Sequence, residues 1–181
     1  MTSFYTRDEL SALGLKSYGE NVLISKKCSI YAAEKISIGS HVRIDDFCIL
    51  SSHIELGSYI HISAYTSLYA GSYKIQVGDF CTVSSRCAIY AESDDYSGNC
   101  LTNPMVPKGC RTTYGGNVIL MEHSIIGSAS TVLPDITIGE GASIGAMSLV
   151  NKDVPEWSVC VGVPCRRIKD RSRKLLEMLP R

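Results

Sequence analysis

Along the chain an aliphatic residue returns every sixth position: Ile38, Ile44, Leu50, Leu56, Ile62 and Leu68, then Val77, Val83 and Ile89, then Leu120, Ile126, Val132, Ile138, Ile144 and Val150. A helix repeats its faces every ~3.6 residues and a strand every ~2, so a spacing of six marks a structural repeat. Four residues after an aliphatic there usually stands a small or moderately apolar residue: Val42, Cys48, Ile54, Ile60, Thr66, Cys81, Cys87, Ser124, Ser130, Ile136, Ala142 and Ser148. Two inward positions in six predict a short strand and then a corner. The corners read Gly39-Ser40-His41, Gly57-Ser58-Tyr59, Gly78-Asp79-Phe80 and Gly139-Glu140-Gly141, where Gly and polar residues supply tight or positive-φ turns. One such unit cannot bury its apolar face alone, so units must stack. The pattern predicts an all-β parallel solenoid around a single column of Ile, Val and Leu, its coils ~4.8 Å apart.

The register is interrupted twice. Tyr69 to Gln76 adds three residues between Leu68 and Val77, enough to push out a corner. Tyr90 to Asn117 adds a segment of twenty-eight residues containing Asp94-Asp95-Tyr96-Ser97-Gly98 and Asn103-Pro104-Met105-Val106-Pro107. Long loops in compact domains are usually functional or disordered, and the aromatic, acidic and Pro anchors here favour an ordered arm. Before the repeats, Asp8 to Gly14 reads as a short helix stopped by Gly that caps the open end. After them, Arg166 to Leu179 reads as a C-terminal helix with Leu175, Leu176 and Leu179 on one side. The organisation is one domain over 1–181: an N-terminal cap at 1–21, the solenoid at 22–154 with its loop at 90–117, and an exit loop and helix at 155–181.

Composition narrows the function. With 45% apolar residues and zero formal net charge, the chain has enough core for one domain and no global pull toward nucleic acid. From Arg166 onward there are seven Lys or Arg against two acids, leaving eleven against sixteen elsewhere, a net −5. This distribution allows a local anion site near the C-terminus. Cys28, Cys48, Cys81 and Cys87 fall on the inward phase and read as core thiols. Without a signal peptide, a bilayer-length apolar run or a CxxC, the expected compartment is the cytoplasm.

The units Ile38-Gly39-Ser40-His41-Val42-Arg43 and Ile138-Gly139-Glu140-Gly141-Ala142-Ser143 resemble those of the hexapeptide-repeat acyltransferases, over roughly Val22 to Ile168. The resemblance implies a left-handed triangular β-helix with three hexapeptides per coil, a homotrimer, and a loop that projects from the prism, helps hold the trimer and borders the active site. The segment Ile144 to Ile168 is similar to the last coil and exit loop of sugar O-acetyltransferases of that family. Lys152, Asp153, Pro155, Gly162, Pro164 and Arg166 match its motif, and Asn151 stands where Thr is usual. In the family this region binds acetyl-CoA. The residues suit that ligand: Ser128, Ala146 and the Gly162–Pro164 turn would floor a groove for the pantetheine arm, with Lys152, Arg166 and Arg167 near the phosphates.

Acetyl transfer to a hydroxyl needs a general base. Related sugar acetyltransferases use a loop His, and the Tyr90–Asn117 loop has none. Three accounts stay open. Asp94 or Asp95 could replace the His with a raised carboxyl pKa. His123, in Met121-Glu122-His123-Ser124, could act with Glu122 orienting its ring. An amine arriving neutral would need no protein base. Tyr65, Tyr69 and Tyr73 could border the acceptor. His41, His53 and His61 lack the His-x-x-x-x-His spacing of the carbonic anhydrases built on this solenoid, so no metal is expected. The sequence reading is a cytoplasmic homotrimer that transfers acetyl from acetyl-CoA to a sugar hydroxyl of a polysaccharide or glycoconjugate precursor. The alternatives are N-acetylation of a nucleotide-linked amino sugar and a non-catalytic scaffold.

Overall fold

The computed structural model describes residues 3–178. All fifteen aliphatics of the six-residue series are buried, and so are the twelve residues four positions after them. Strands pass in turn through three sheets. The first runs from Ser17–Tyr18 through Ile36–Ile38, Ile54–Leu56, Ile75–Val77 and Val118–Leu120 to Thr137–Ile138. The second runs from Val22–Ile24 through Val42–Ile44, Ile60–Ile62, Thr82–Val83, Ile125–Ile126 and Ser143–Ile144 to Ser158–Val161. The third runs from Ser29–Tyr31 through Ile49–Ser51, Ser67–Tyr69, Ala88–Tyr90 and Thr131–Val132 to Leu149–Val150. Every neighbour in these series is parallel, and Ile36 lies over Ile54, Ile54 over Ile75, and Ile75 over Val118. The chain is a parallel solenoid, as the period predicts, and it has the three sides that the family resemblance implies.

The corners differ from expectation in how they use glycine. Positive φ falls three residues after the aliphatic, mostly on residues with side chains: His41 (58°), Tyr59 (59°), Phe80 (58°) and His123 (60°). Each such conformation costs about 1–2 kcal/mol. The rings at these corners stack up one edge of the prism, with centroids 4.8 Å apart for His41–Tyr59, 4.7 Å for Tyr59–Phe80, 5.2 Å for Phe80–His123 and 6.4 Å for His123–Trp157. Stacked pairs contribute about 0.5–1.5 kcal/mol each beyond their burial, which offsets much of the strain. Glycine serves space instead. A Cβ on Gly39 would stand 2.5 Å from the carbonyl oxygen of Gly57 in the next coil.

The ends are short. Arg7–Ala12 forms the one described α-helix, with Thr6 and Glu9 in a reciprocal capping box and Leu10 buried against the core. The predicted C-terminal helix is not formed as such. Arg166–Asp170 instead folds back antiparallel on Ser158–Val161, and only Lys174–Met178 winds into a 3-10 turn. The antiparallel return supplies ladder hydrogen bonds to what would be a bare sheet edge, a gain that outweighs weak helical periodicity. Leu179 lies outside the described residues. All eight cysteines are free thiols; Cys48, Cys81 and Cys87 are buried, and Cys28 is half-buried. None of the described helices is long and apolar enough to cross a membrane.

The long insertion is an ordered arm. Glu92–Asp94 pairs antiparallel with Thr113–Gly115, and Asp95, only 5% exposed, organises the turn beyond. Its carboxylate accepts from Ser97 Oγ (2.6 Å) and from the backbone N–H groups of Ser97 (2.8 Å), Asn99 (2.9 Å) and Cys100 (3.0 Å). Those bonds, the Ser97 hydroxyl foremost, hold the Asp95 carboxyl below its ordinary value.

Two outcomes follow. Ile62→Ala should lower the free energy of unfolding by about 2–5 kcal/mol in urea titrations, because Ile62 is fully enclosed between coils. Asp95→Ala should leave the solenoid folded but open residues 96–112 to limited proteolysis at pH 7. Because its folded pKa is lowered, Asp95 orders the arm fully above the ordinary value of 3.8. That order is lost as pH falls through the folded value, so wild-type protein should become susceptible to pepsin in the same segment.

Candidate active site

Both interruptions fall on the corner that links the third sheet to the first. The shorter one places Gly71 and Ser72 below the arm, where the Ser72 N–H donates to Glu92 Oε2 at 2.6 Å. Together they wall a cleft of about 830 Å³ over the outer surface of the third sheet. Tyr69, Tyr90, Leu133 and Leu149 supply its apolar side, while Glu92, Asp94 and Arg111 supply its charged side. Tyr69 and Tyr90 are in adjacent coils, in register, and stack with centroids 5.3 Å apart at 17°. Burial raises the Tyr90 hydroxyl pKa.

Asp94 and Arg111 form the polar focus. Arg111 Nε donates to Asp94 Oδ1 at 2.6 Å, with both side chains 33% exposed. Asp94 lines the cleft, and its Oδ2 takes no hydrogen bond from any described residue. Partial burial pushes the Glu92 carboxyl up, but the Thr113 hydroxyl, Ser72 and Arg111 together hold it below its ordinary value. A mostly apolar recess with one fixed, half-engaged carboxylate suits a ligand that offers a hydrogen-bond donor or a positive charge.

The structure separates the residues that the sequence groups. Asp94 is in the cleft. Its neighbour Asp95 spends its carboxylate on the arm. His123 lies on a different edge, between the first and second sheets, held between Phe80 and Trp157. Ser128, Ala146 and Gly162 rise in successive coils along the edge between the second and third sheets, with Pro164 just beyond. Met147 N–H donates to the Ser128 carbonyl at 2.8 Å, and Gly162 N–H donates to Ser148 Oγ at 3.0 Å. Gly127 and Gly145 keep that edge narrow, since a Cβ on Gly145 would stand 2.7 Å from a Val161 methyl. Arg166 and Arg167 are exposed on the strand leading away from it. Lys152 is exposed on the third edge, apart from them.

Of the three tyrosines, Tyr69 lines the cleft, Tyr73 packs against the core and Tyr65 stacks on Phe47. Among the described residues no three His, Cys, Asp or Glu side chains are placed to hold a metal ion. Sequence reasoning missed Arg111, although it and Lys108 are the cations of the insertion. It also missed Arg171, which donates to the carbonyls of His123 (2.8 Å) and Gly141 (2.9 Å) and ties the C-terminal tail to the ring-stacked edge.

No family model matches the chain. Individual proteins do. A dTDP-4-amino-4,6-dideoxy-D-glucose acyltransferase from Escherichia coli is 46% identical over 94% of this chain and 90% of its own length. The structure of AntD, an N-acyltransferase from Bacillus cereus in complex with dTDP and 3-hydroxybutyryl-CoA, superposes with a TM-score of 0.95 at 51% identity, covering 98% of this chain and 95% of that one. A maltose O-acetyltransferase from Clostridium difficile shares the fold at 21% identity, with a TM-score of 0.54 over 92% of this chain and 77% of that one. With its six-residue repeat, its solenoid and relatives of this identity and coverage, the chain belongs to the hexapeptide-repeat sugar acyltransferases.

Proposed function

We propose that this enzyme transfers an acyl group from a coenzyme A thioester to the amine of a nucleotide-linked amino sugar of the dTDP-4-amino-4,6-dideoxyglucose type. The observation that carries the reading is the cleft carboxylate Asp94, fixed through Oδ1 by Arg111 and open at Oδ2. The Escherichia coli relative and AntD support it, since both are acyltransferases and their names specify a dTDP-amino sugar or dTDP as the partner. They favour the amino-sugar alternative over transfer to a hydroxyl.

The chemistry of the cleft points the same way. A sugar hydroxyl is a poor nucleophile until a base removes its proton, and the described residues lining the cleft include no imidazole. A neutral amine attacks the thioester carbonyl directly. Asp94 Oδ2 would accept an N–H hydrogen bond, aim the nitrogen lone pair, and stabilise the positive charge that grows on nitrogen as the C–N bond forms. The tetrahedral intermediate then expels coenzyme A as thiolate, which takes the proton that the amine releases. Transfer is direct, through a ternary complex.

The edge bearing Ser128, Ala146 and Gly162 to Pro164 is the proposed pantetheine path, with Arg166 and Arg167 toward the phosphates. The assembly is a homotrimer with sites shared between neighbours. A cytoplasmic setting suits an acyl-CoA donor.

Release of free thiol should be seen with an acyl-CoA plus dTDP-4-amino-4,6-dideoxyglucose, and not with the corresponding 4-hydroxy sugar nucleotide. Equal rates with both would return the reading to O-transfer. Asp94→Asn should lower kcat by about 10² or more, whereas His123→Ala should keep most of it. The reverse ranking would move the chemistry to the ring-stacked edge.

A further inference from the structure

Away from the cleft, the outer surface of the second sheet carries a second built arrangement. Its outward residues are Leu23, Arg43, His61, Thr82, Ile125 and Ser143, and in this series Arg43 and His61 lie directly over one another in adjacent coils. Asp45, at the next corner and 19% exposed, reaches both: Arg43 Nε donates to Oδ1 at 2.7 Å and His61 Nε2 meets Oδ2 at 2.7 Å. Partial burial pushes the Asp45 carboxyl up, and its hydrogen bonds to Arg43 and His61 outweigh that and hold it below its ordinary value. The Phe4 ring lies 5.4 Å from the guanidinium carbon. Beside them Lys27 pairs with Asp46 at 2.8 Å.

The contact geometry is unusual for a salt bridge that ends in itself. Arginine meets a lone carboxylate best with two parallel N–H groups. Here Asp45 takes only the Nε side, because its other oxygen is committed to His61. The terminal nitrogens of Arg43 have no partner among the described residues, although the side chain is fixed at Nε and flanked by a ring. The neighbouring acid, Asp46, is occupied by Lys27 and Ser25. Above His61 the outward residues Thr82, Ile125 and Ser143 are uncharged, and charge returns on the strand Arg166–Asp170 at the far end of the sheet. A tetrahedral oxyanion with two oxygens in one plane matches the open fork of Arg43.

We infer that Arg43, aimed by Asp45 and His61, is a phosphate-binding residue for one of the two phosphorylated substrates. The inference rests on the functional reading above, which supplies two sources of that chemistry, the diphosphate of the sugar nucleotide and the phosphates of coenzyme A. Arg43 touches the ligand; Asp45 and His61 act through it as positioning residues. The cleft with Asp94 lies over the third sheet, whereas Arg43 stands on the second.

Calorimetry on the full-length protein separates the possibilities, with thymidine, dTMP, dTDP and coenzyme A as probes. In wild type, dTDP should bind more tightly than thymidine. Arg43→Gln should remove about 10- to 100-fold of dTDP affinity, the worth of a charged hydrogen-bonded contact, while leaving thymidine unchanged. Arg43→Lys, which keeps charge but not the fork, and Asp45→Asn, which frees the Nε anchor, should each lose less. If the loss appears with coenzyme A and not with dTDP, the phosphate belongs to the donor. Unchanged affinities for both ligands in an Arg43→Gln protein of wild-type melting temperature overturn the inference and leave the functional reading intact. A wild-type protein that binds neither ligand overturns both.

Discussion

Everything in this molecule depends on coil stacking in register. A single turn of six-residue units has one apolar side and no partner for it. Its stability exists only where Ile, Val or Leu of one coil lies over the same kind of residue in the next, as Ile36 lies over Ile54 and Ile54 over Ile75. The same vertical repeat acts on the outside. It places His41, Tyr59, Phe80 and His123 in one column of rings, which offsets the left-handed backbone those corners require. It also forbids side chains where coils come too close, and glycine occupies those places.

Register explains where chemistry is possible. Inside, every position is bound by its neighbours above and below, so a substitution there is felt as packing. Outside, insertions cost little provided that the next strand regains its place. Val118 pairs over Ile75 despite the long segment between them. The arm that results is held by Asp95 and presents Asp94 and Arg111 over Tyr69 and Tyr90. A rigid prism carries a cleft whose polar groups come from the parts that the repeat does not constrain. On the second sheet, register alone stacks Arg43 on His61 and brings Asp45 to both.

The solenoid was legible because the six-residue period directly encodes burial, and all fifteen aliphatics lie in the core. The arm was legible as an interruption, since a break in a strict period is as clear as the period itself. Side-chain partners were not. Asp94 and Asp95 are adjacent and chemically alike, yet one faces the cleft and the other is consumed by backbone N–H groups, a difference set by local turn geometry. His123 read as a candidate base because imidazole suits the role, and its place between Phe80 and Trp157 was hidden in its corner phase. The C-terminal segment was misread because three leucines and a basic run suggest a helix, while the open edge at Ser158–Val161 recruited Arg166–Asp170 as a strand. Arg111 lies outside any motif and Arg43 fills an unspecified position of a repeat unit, so they become meaningful only beside Asp94 and Asp45.

The central claim is that the cleft receives an amine and that Asp94 aims it. A crystal structure with dTDP-4-amino-4,6-dideoxyglucose and coenzyme A bound tests this most directly. The account predicts the sugar nitrogen within about 3 Å of Asp94 Oδ2, the distance of a productive hydrogen bond, with the thiol on the far side of that nitrogen. A sugar seated with its amine at His123, or turned so that a hydroxyl meets Asp94, would contradict it.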